Sequence, residues 1–181
     1  MPTLFAGPNG SGKSTLIKQN DFEGKDRLLD ADAIARDLSP SNPAAAAIEA
    51  GRRLLARVSE YLDQLVSFAI EMTLASRGHR ELIRKAKDRG FKVHLAFCCL
   101  EDSEMSITRV YARVAKGGHF IPEDDVRRRY TRSIENCREA IRLVDIAKVY
   151  DNSKNGHRLV RLARDGEIVW RADPLPGWLK I

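Results

Sequence analysis

One stretch near the N-terminus has the residue types and spacing for phosphate chemistry. Gly7-Pro8-Asn9-Gly10-Ser11-Gly12-Lys13-Ser14-Thr15 fits the pattern G-x-x-x-x-G-K-[ST] over positions 7 to 14. Glycines at these places let backbone N–H groups turn into one concavity, a conformation that other residues reach only with strain. Lys13 can then reach the β- and γ-phosphates of a nucleoside triphosphate, and the Ser14 hydroxyl can bind the Mg²⁺ that bridges them. A helix opening after Lys13 adds the positive end of its dipole to the same anion. A Gly-rich turn with a chance lysine is the plain alternative, and the flanks argue against it. Thr3-Leu4-Phe5-Ala6 is an apolar run of the kind buried parallel strands show, and Ser14-Thr15-Leu16-Ile17-Lys18 continues as helix. The pattern predicts a nucleoside triphosphate as ligand.

Carboxylates able to act beside such a ligand follow at predicted strand ends. Residues 27–30 read as a strand that runs into Asp30-Ala31-Asp32. Positions two apart on an extended segment face the same way, so both side chains can enter one crevice. A carboxylate there either takes the proton of an attacking hydroxyl or holds Mg²⁺ through water. Asp32 stands further past the strand end and is the preferred base, whereas Asp30, nearer the sheet, is the preferred metal ligand. The alternative is that one of them caps a helix beginning near Ala33. Residues 67–71 form a third strand candidate, and Glu71 at its end is the acidic group expected near Mg²⁺ or substrate.

Cations come later in the chain. Asp102 or Ser103 caps a helix that stops at Gly117-Gly118, and on it Arg109, Arg113 and Lys116 share one face. His119-Phe120-Ile121 leads to a second helix, with Pro122 in its first turn and Glu123, Asp124 and Asp125 at the positive end of its dipole. It carries Arg127, Arg128, Arg129 and Arg132 and continues to about Val144. The two helices predict an arm, about 109–132, that folds over the phosphate loop, excludes water and presents guanidiniums to a transferring phosphoryl group. Some of these arginines must be ordinary surface charge, because they cannot all face one nucleotide.

The remaining elements must position these groups. Residues 44–64 predict a long helix with Ile48, Leu55, Val58 and Leu62 near one face. A polar helix over 78–89 ends at Gly90, and 91–100 is a buried strand in which His94 is structural. Residues 146–150 form a fifth strand ending at Asp151-Asn152-Ser153, followed by a polar loop with a solvated His157. Two short strands around Asp165-Gly166 carry the strongest hairpin signal. Strands alternating with helices predict an α/β fold whose ligands sit at the strand ends.

Composition bounds the rest. A chain of 181 residues, 43% hydrophobic and 31% charged, suits one domain with a full core. No apolar run approaches the roughly 20 residues of a membrane span, and a phosphate loop at Gly7 leaves no room for a signal peptide, so the cytoplasm is expected. Cys98, Cys99 and Cys137 are an odd number without CxxC spacing and predict buried thiols. The net charge of +6 fits an anionic substrate. No basic stripe interleaved with aromatics supports nucleic acid.

Taken in order, Ala6 to Thr15, Asp30-Ala31-Asp32-Ala33-Ile34, Glu71-Met72-Thr73-Leu74, Arg109-Val110, Arg113-Val114, Gly117-Gly118-His119, Ile121-Pro122-Glu123, Arg128-Arg129-Tyr130 and Tyr150-Asp151-Asn152-Ser153 resemble the zeta toxin family of P-loop kinases. The resemblance implies a parallel-sheet kinase fold with an arginine-bearing helical lid, here with a small C-terminal hairpin. It implies ATP and Mg²⁺ held by residues 7–15, with Asn152 near the adenine. Asp32 is implied as the proton acceptor, with Glu71 and Thr73 helping it to hold substrate, and Arg109 and Arg129 as stabilisers of the transferring phosphate. A UDP-linked N-acetyl amino sugar is the implied acceptor and an antitoxin protein the implied partner. Met72 stands where many relatives carry Thr, so contacts there differ. The leading expectation is transfer of the ATP γ-phosphate to an alcohol of a small metabolite. Its rivals are a kinase of another metabolite and a slow NTPase switch acting through a protein partner. An Asp base under an arginine lid favours transfer, since a switch has less need to keep water from the phosphate.

Overall fold

Apolar runs without alternation become the centre of a parallel sheet, because such strands are covered on both faces. In the computed structural model, residues 1–118 and 120–179 are described; His119 of the Gly-Gly-His pattern lies outside them. The strands are β1 (Pro2–Ala6), β2 (Leu28–Asp30), β3 (Phe68–Met72), β4 (His94–Cys99), β5 (Ile146–Asp151), β6 (Arg158–Arg164) and β7 (Glu167–Arg171). They form one sheet in the order β2-β3-β1-β4-β5-β6-β7. The first five run parallel, and β6 and β7 close the edge antiparallel. Six α-helices connect or cover them among the described residues: α1 (Lys13–Gln19), α2 (Ala31–Leu38), α3 (Ala47–Asp63), α4 (Gly78–Asp88), α5 (Ser103–Val114) and α6 (Glu123–Leu143). The expected α/β fold is present, and no helix among the described residues is long and apolar enough to cross a membrane.

The period of two along each strand divides the core. Leu4, Phe68, Ile70, Leu95, Phe97 and Val149 face the layer that holds α4 and α6. Phe5, Ala69 and Cys98 face Leu16 and Ile17 of α1 on the other side. Cys98 and Cys99 therefore point to opposite faces, and all three cysteines are free and buried, as expected. His94 lies within β4 and is half-buried. At the β6–β7 turn Asp165 and Gly166 adopt φ of 48° and 83°, the paired positive φ that a two-residue hairpin demands.

The long helix departs from expectation. Residues 43–46 form a 3-10 turn and the α-helix begins only at Ala47. Val58 and Leu62 are buried, but Ile48 is 75% exposed and Leu55 61% exposed. All four keep the spacing of one face, yet a face is buried only where something covers it. α3 packs against α2 as well as reaching the core through Val58 and Leu62, and nothing among the described residues covers its stripe at Ile48 and Leu55.

The arm has its own small core. Ile107 and Val110 of α5 meet Ile121 and Val126, which couples the two helices. Further along, α6 enters the main core through Cys137, Ala140 and Ile141. Tyr130 hydrogen-bonds Leu100 O and Glu101 O at 2.8 and 2.9 Å, which ties α6 to the chain just past the end of β4.

Candidate active site

The phosphate loop links β1 to α1, and Gly12 caps that helix in the left-handed region. Lys13 is 8% exposed. Its Nζ donates to Pro8 O at 3.0 Å and lies 3.9 Å from Glu71 Oε1. Burial holds the Lys13 ammonium below its ordinary range, against the pull of the Glu71 charge. Burial likewise raises the Glu71 carboxyl, with Lys13 and the Ser14 hydroxyl acting the other way. Ser14 Oγ sits 3.1 and 3.0 Å from the two Glu71 oxygens and shares one proton between them.

Two loop atoms, Asn9 Oδ1 and Ser11 Oγ, are buried with no hydrogen-bond partner among the described residues. Buried polar atoms are nearly always paired, and the Ser11 hydroxyl can donate, so its lack of a partner on a loop of this pattern fits a site completed by an anion; Asn9 Oδ1 only accepts and gains nothing from a phosphate. Residues 7–15 therefore fit a triphosphate, and Ser14, backed by the Glu71 carboxylate and neighbouring Asp30, fits its Mg²⁺.

Sheet register brings the acids together. Asp30 on β2 is the neighbour of Glu71 on β3. The pair Asp30 and Asp32, however, is not extended. The chain turns into α2 at Ala31, Asp30 becomes its N-cap, and Asp30 Oδ1 accepts from the Asp32 N–H at 2.9 Å. Asp30 Oδ2 faces Arg36 at 3.8 Å. Asp32 is exposed in the first helical turn. Both carboxylates nevertheless reach one cavity of about 470 Å³, together with Asn9, Lys13, Glu71 and Thr73.

The opposite wall of that cavity is cationic: Arg113 comes from α5, and Arg128, Arg129 and Arg132 come from α6. Arg128 and Arg129 both address Asp125, at 2.7 and 3.7 Å. Arg127 turns away to Glu104 and Glu123 and ties the arm together. Arg109 is not in the cavity wall. Its guanidinium donates to Asn152 O at 2.8 Å, and its Cβ stands over Gly10. Residues four apart on α5 share a face, but their long side chains diverge.

The chain after β3 is held in place by α6. Leu74 adopts a φ of 59°, uncommon for a residue with a branched side chain. Asn136 donates to Leu74 O and Ser133 to Thr73 O, each at 2.7 Å, so α6 fixes the turn that aims Thr73 into the cavity.

Behind the loop, Asn152 Nδ2 donates to Ser11 O at 2.9 Å. His157, expected as a solvated loop residue, is instead half-buried with Nε2 3.1 Å from Gly12 O. No local signal marked this contact, since His157 lies in a polar loop between β5 and β6, directly before Arg158. Cys98 reaches Ser11 O at 3.0 Å, and burial pushes its thiol up to about 12.

The sequence model of the AAA domain family matches residues 3–139. The chain belongs to the AAA domain family. An uncharacterized protein of Haemophilus influenzae is 39% identical over 127 residues, which cover 70% of this chain and 90% of that one. Among solved structures, a chain of the PezAT chromosomal toxin–antitoxin system of Streptococcus pneumoniae superposes with a TM-score of 0.68 at 17% identity, covering 98% of this chain and 75% of that one. The AvrRxo1-ORF1:-ORF2 structure with ATP gives 0.64 at 16% identity, over 93% of this chain and 60% of its own. Shikimate kinase from Acinetobacter baumannii, in complex with shikimate, gives 0.50 at 16% identity, over 86% and 84%. The fold is that of the P-loop kinases, in keeping with the resemblance to zeta toxins.

Proposed function

We propose that the protein transfers the γ-phosphoryl group of ATP to an alcohol on a small anionic metabolite. One observation carries this reading: a single cavity joins the phosphate-loop lysine to two acidic strand ends and a wall of four arginines. Mg²⁺-ATP, when bound, supplies the phosphoryl group and a divalent charge. The Lys13 ammonium, disfavoured by burial, gains in phosphate an anionic partner that offsets that cost. Asp32, exposed at the cavity edge, takes the proton that the acceptor hydroxyl loses as its oxygen bonds to phosphorus. Glu71 holds Ser14 in the orientation a metal needs, and Asp30 supports it from the neighbouring strand. Arg113 and Arg129 meet the charge that develops on the transferring group. Arg109, turned to Asn152, secures the wall behind the loop. Residues 1–181 are read as one kinase unit of the cytoplasm, with 109–132 as its lid.

The acceptor should be anionic, because four guanidiniums outnumber the three carboxylates lining the same cavity. A UDP-linked N-acetyl amino sugar is the first acceptor to try. An antitoxin protein is the partner suggested by the resemblance, and the PezAT structure belongs to a toxin–antitoxin system. Release of ADP measured with a panel of sugar nucleotides, sugar phosphates and nucleotides tests the reading. An acceptor that raises ADP release well above basal hydrolysis supports transfer, while a uniform slow rate with every compound points to an NTPase switch.

A further inference from the structure

The phosphate loop is gripped from behind at two successive carbonyls. Asn152, one residue past β5, donates to Ser11 O at 2.9 Å. His157, in the loop between β5 and β6, places Nε2 3.1 Å from Gly12 O. A carbonyl only accepts, so this ring nitrogen carries the proton. The ring is seated edge-on against Tyr150, with centroids 6.4 Å apart. Gly12 O already receives the first helical bond, from Leu16 N at 3.0 Å. A second donor is not needed to satisfy that oxygen; what it adds is direction.

Peptide planarity turns these contacts into control of the anion site. In a trans peptide the C=O and N–H point in opposite directions. Fixing Ser11 O against Asn152 aims the Gly12 N–H the other way, and fixing Gly12 O against His157 does the same for the Lys13 N–H. Gly12 is shaped to this grip, since with its φ of 99° a Cβ there would run into Asn152 Nδ2 and stand 3.0 Å from His157 Nε2.

We propose that His157, together with Asn152, is a positioning residue that presets the Gly12 and Lys13 amides for the phosphates before nucleotide arrives. The inference rests on residues 7–15 being the triphosphate site. It acts on the phosphates and not on the base, which makes it separable from an adenine contact. Titration calorimetry with Mg²⁺-ATP and with tripolyphosphate, which has no base, provides the test. His157→Phe keeps a ring against Tyr150 and removes the donor, whereas His157→Gln keeps a donor. The expected result is that His157→Phe weakens both ligands by roughly 3- to 10-fold, the worth of one hydrogen bond. His157→Gln recovers most of that loss, and both variants melt near the wild type. Loss confined to ATP makes His157 a base contact and overturns the proposal, as does a folded His157→Phe that binds both ligands like the wild type. If His157→Phe does not fold, Asn152→Asp, which sets an acceptor against Ser11 O, is read by the same two ligands and the same criteria. Failure of the wild type to bind either ligand overturns the triphosphate site itself, a result distinct from failure of the grip alone.

Discussion

Lys13 and Glu71 meet at 3.9 Å in a place where burial disfavours the charge of each. The folded protein holds the Glu71 proton more tightly than the unfolded chain does. Stability from this group is therefore complete below its ordinary value of 4.5 and is lost as pH rises through its higher folded value. Glu71→Gln should flatten that decline, and scanning calorimetry across the acid range would show it; an unchanged slope contradicts the raised carboxyl. At the same scale the two aspartates separate by role. Asp32→Asn should bind ATP normally and turn over about 10²- to 10⁴-fold more slowly, the range of a lost base, with no rescue by added Mg²⁺. Arg113→Ala and Arg129→Ala should each lower kcat by about 10²-fold with smaller changes in ATP affinity, because the charge they meet develops during transfer. Steady-state kinetics of an acceptor-dependent reaction checks all three, and wild-type turnover in both arginine variants would reduce that wall to surface charge.

At the scale of elements, α2 depends on its cap. Asp30 satisfies the Asp32 N–H, so Asp30→Ala should cost about 1 kcal/mol in urea unfolding, whereas Asp30→Asn keeps an acceptor and should cost little. Asp30→Asn then isolates the second role: its turnover should require more Mg²⁺ than the wild type at unchanged stability. Equal Mg²⁺ dependence in a Mg²⁺ titration would leave Asp30 as a cap only. The cap was legible, since Asp-Ala-Asp-Ala-Ile offers an N-terminus as readily as a strand end. Local pattern did not decide between them because the boundary between strand and helix falls within a single residue. The turn at Asp165-Gly166 was unambiguous, as few residue pairs accept two positive φ values. The open stripe of Ile48 and Leu55 was not legible. Periodicity reports which residues share a face, and what lies opposite is decided by distant chain.

For the whole molecule, the parallel strands and the phosphate loop were readable because both are local, one an apolar run and the other a fixed spacing. The contacts that join distant parts were not. His157 reaches Gly12 across 145 positions of chain, and Arg109 leaves the cavity for Asn152 while Arg113 stays in its wall. Neither follows from helical spacing or loop composition. The same long-range folding lines one cavity with carboxylates from β2, α2 and β3 and with guanidiniums from α5 and α6, an arrangement that would suit handing a phosphoryl group from one substrate to another. That claim is tested most directly by following the label of γ-labelled ATP incubated with the protein and a small-metabolite extract, resolved by chromatography. The account predicts that label moves to an organic acceptor with the wild type, and that Lys13→Ala, although folded, moves none. Label appearing only as inorganic phosphate, or transfer undiminished in Lys13→Ala, would contradict it.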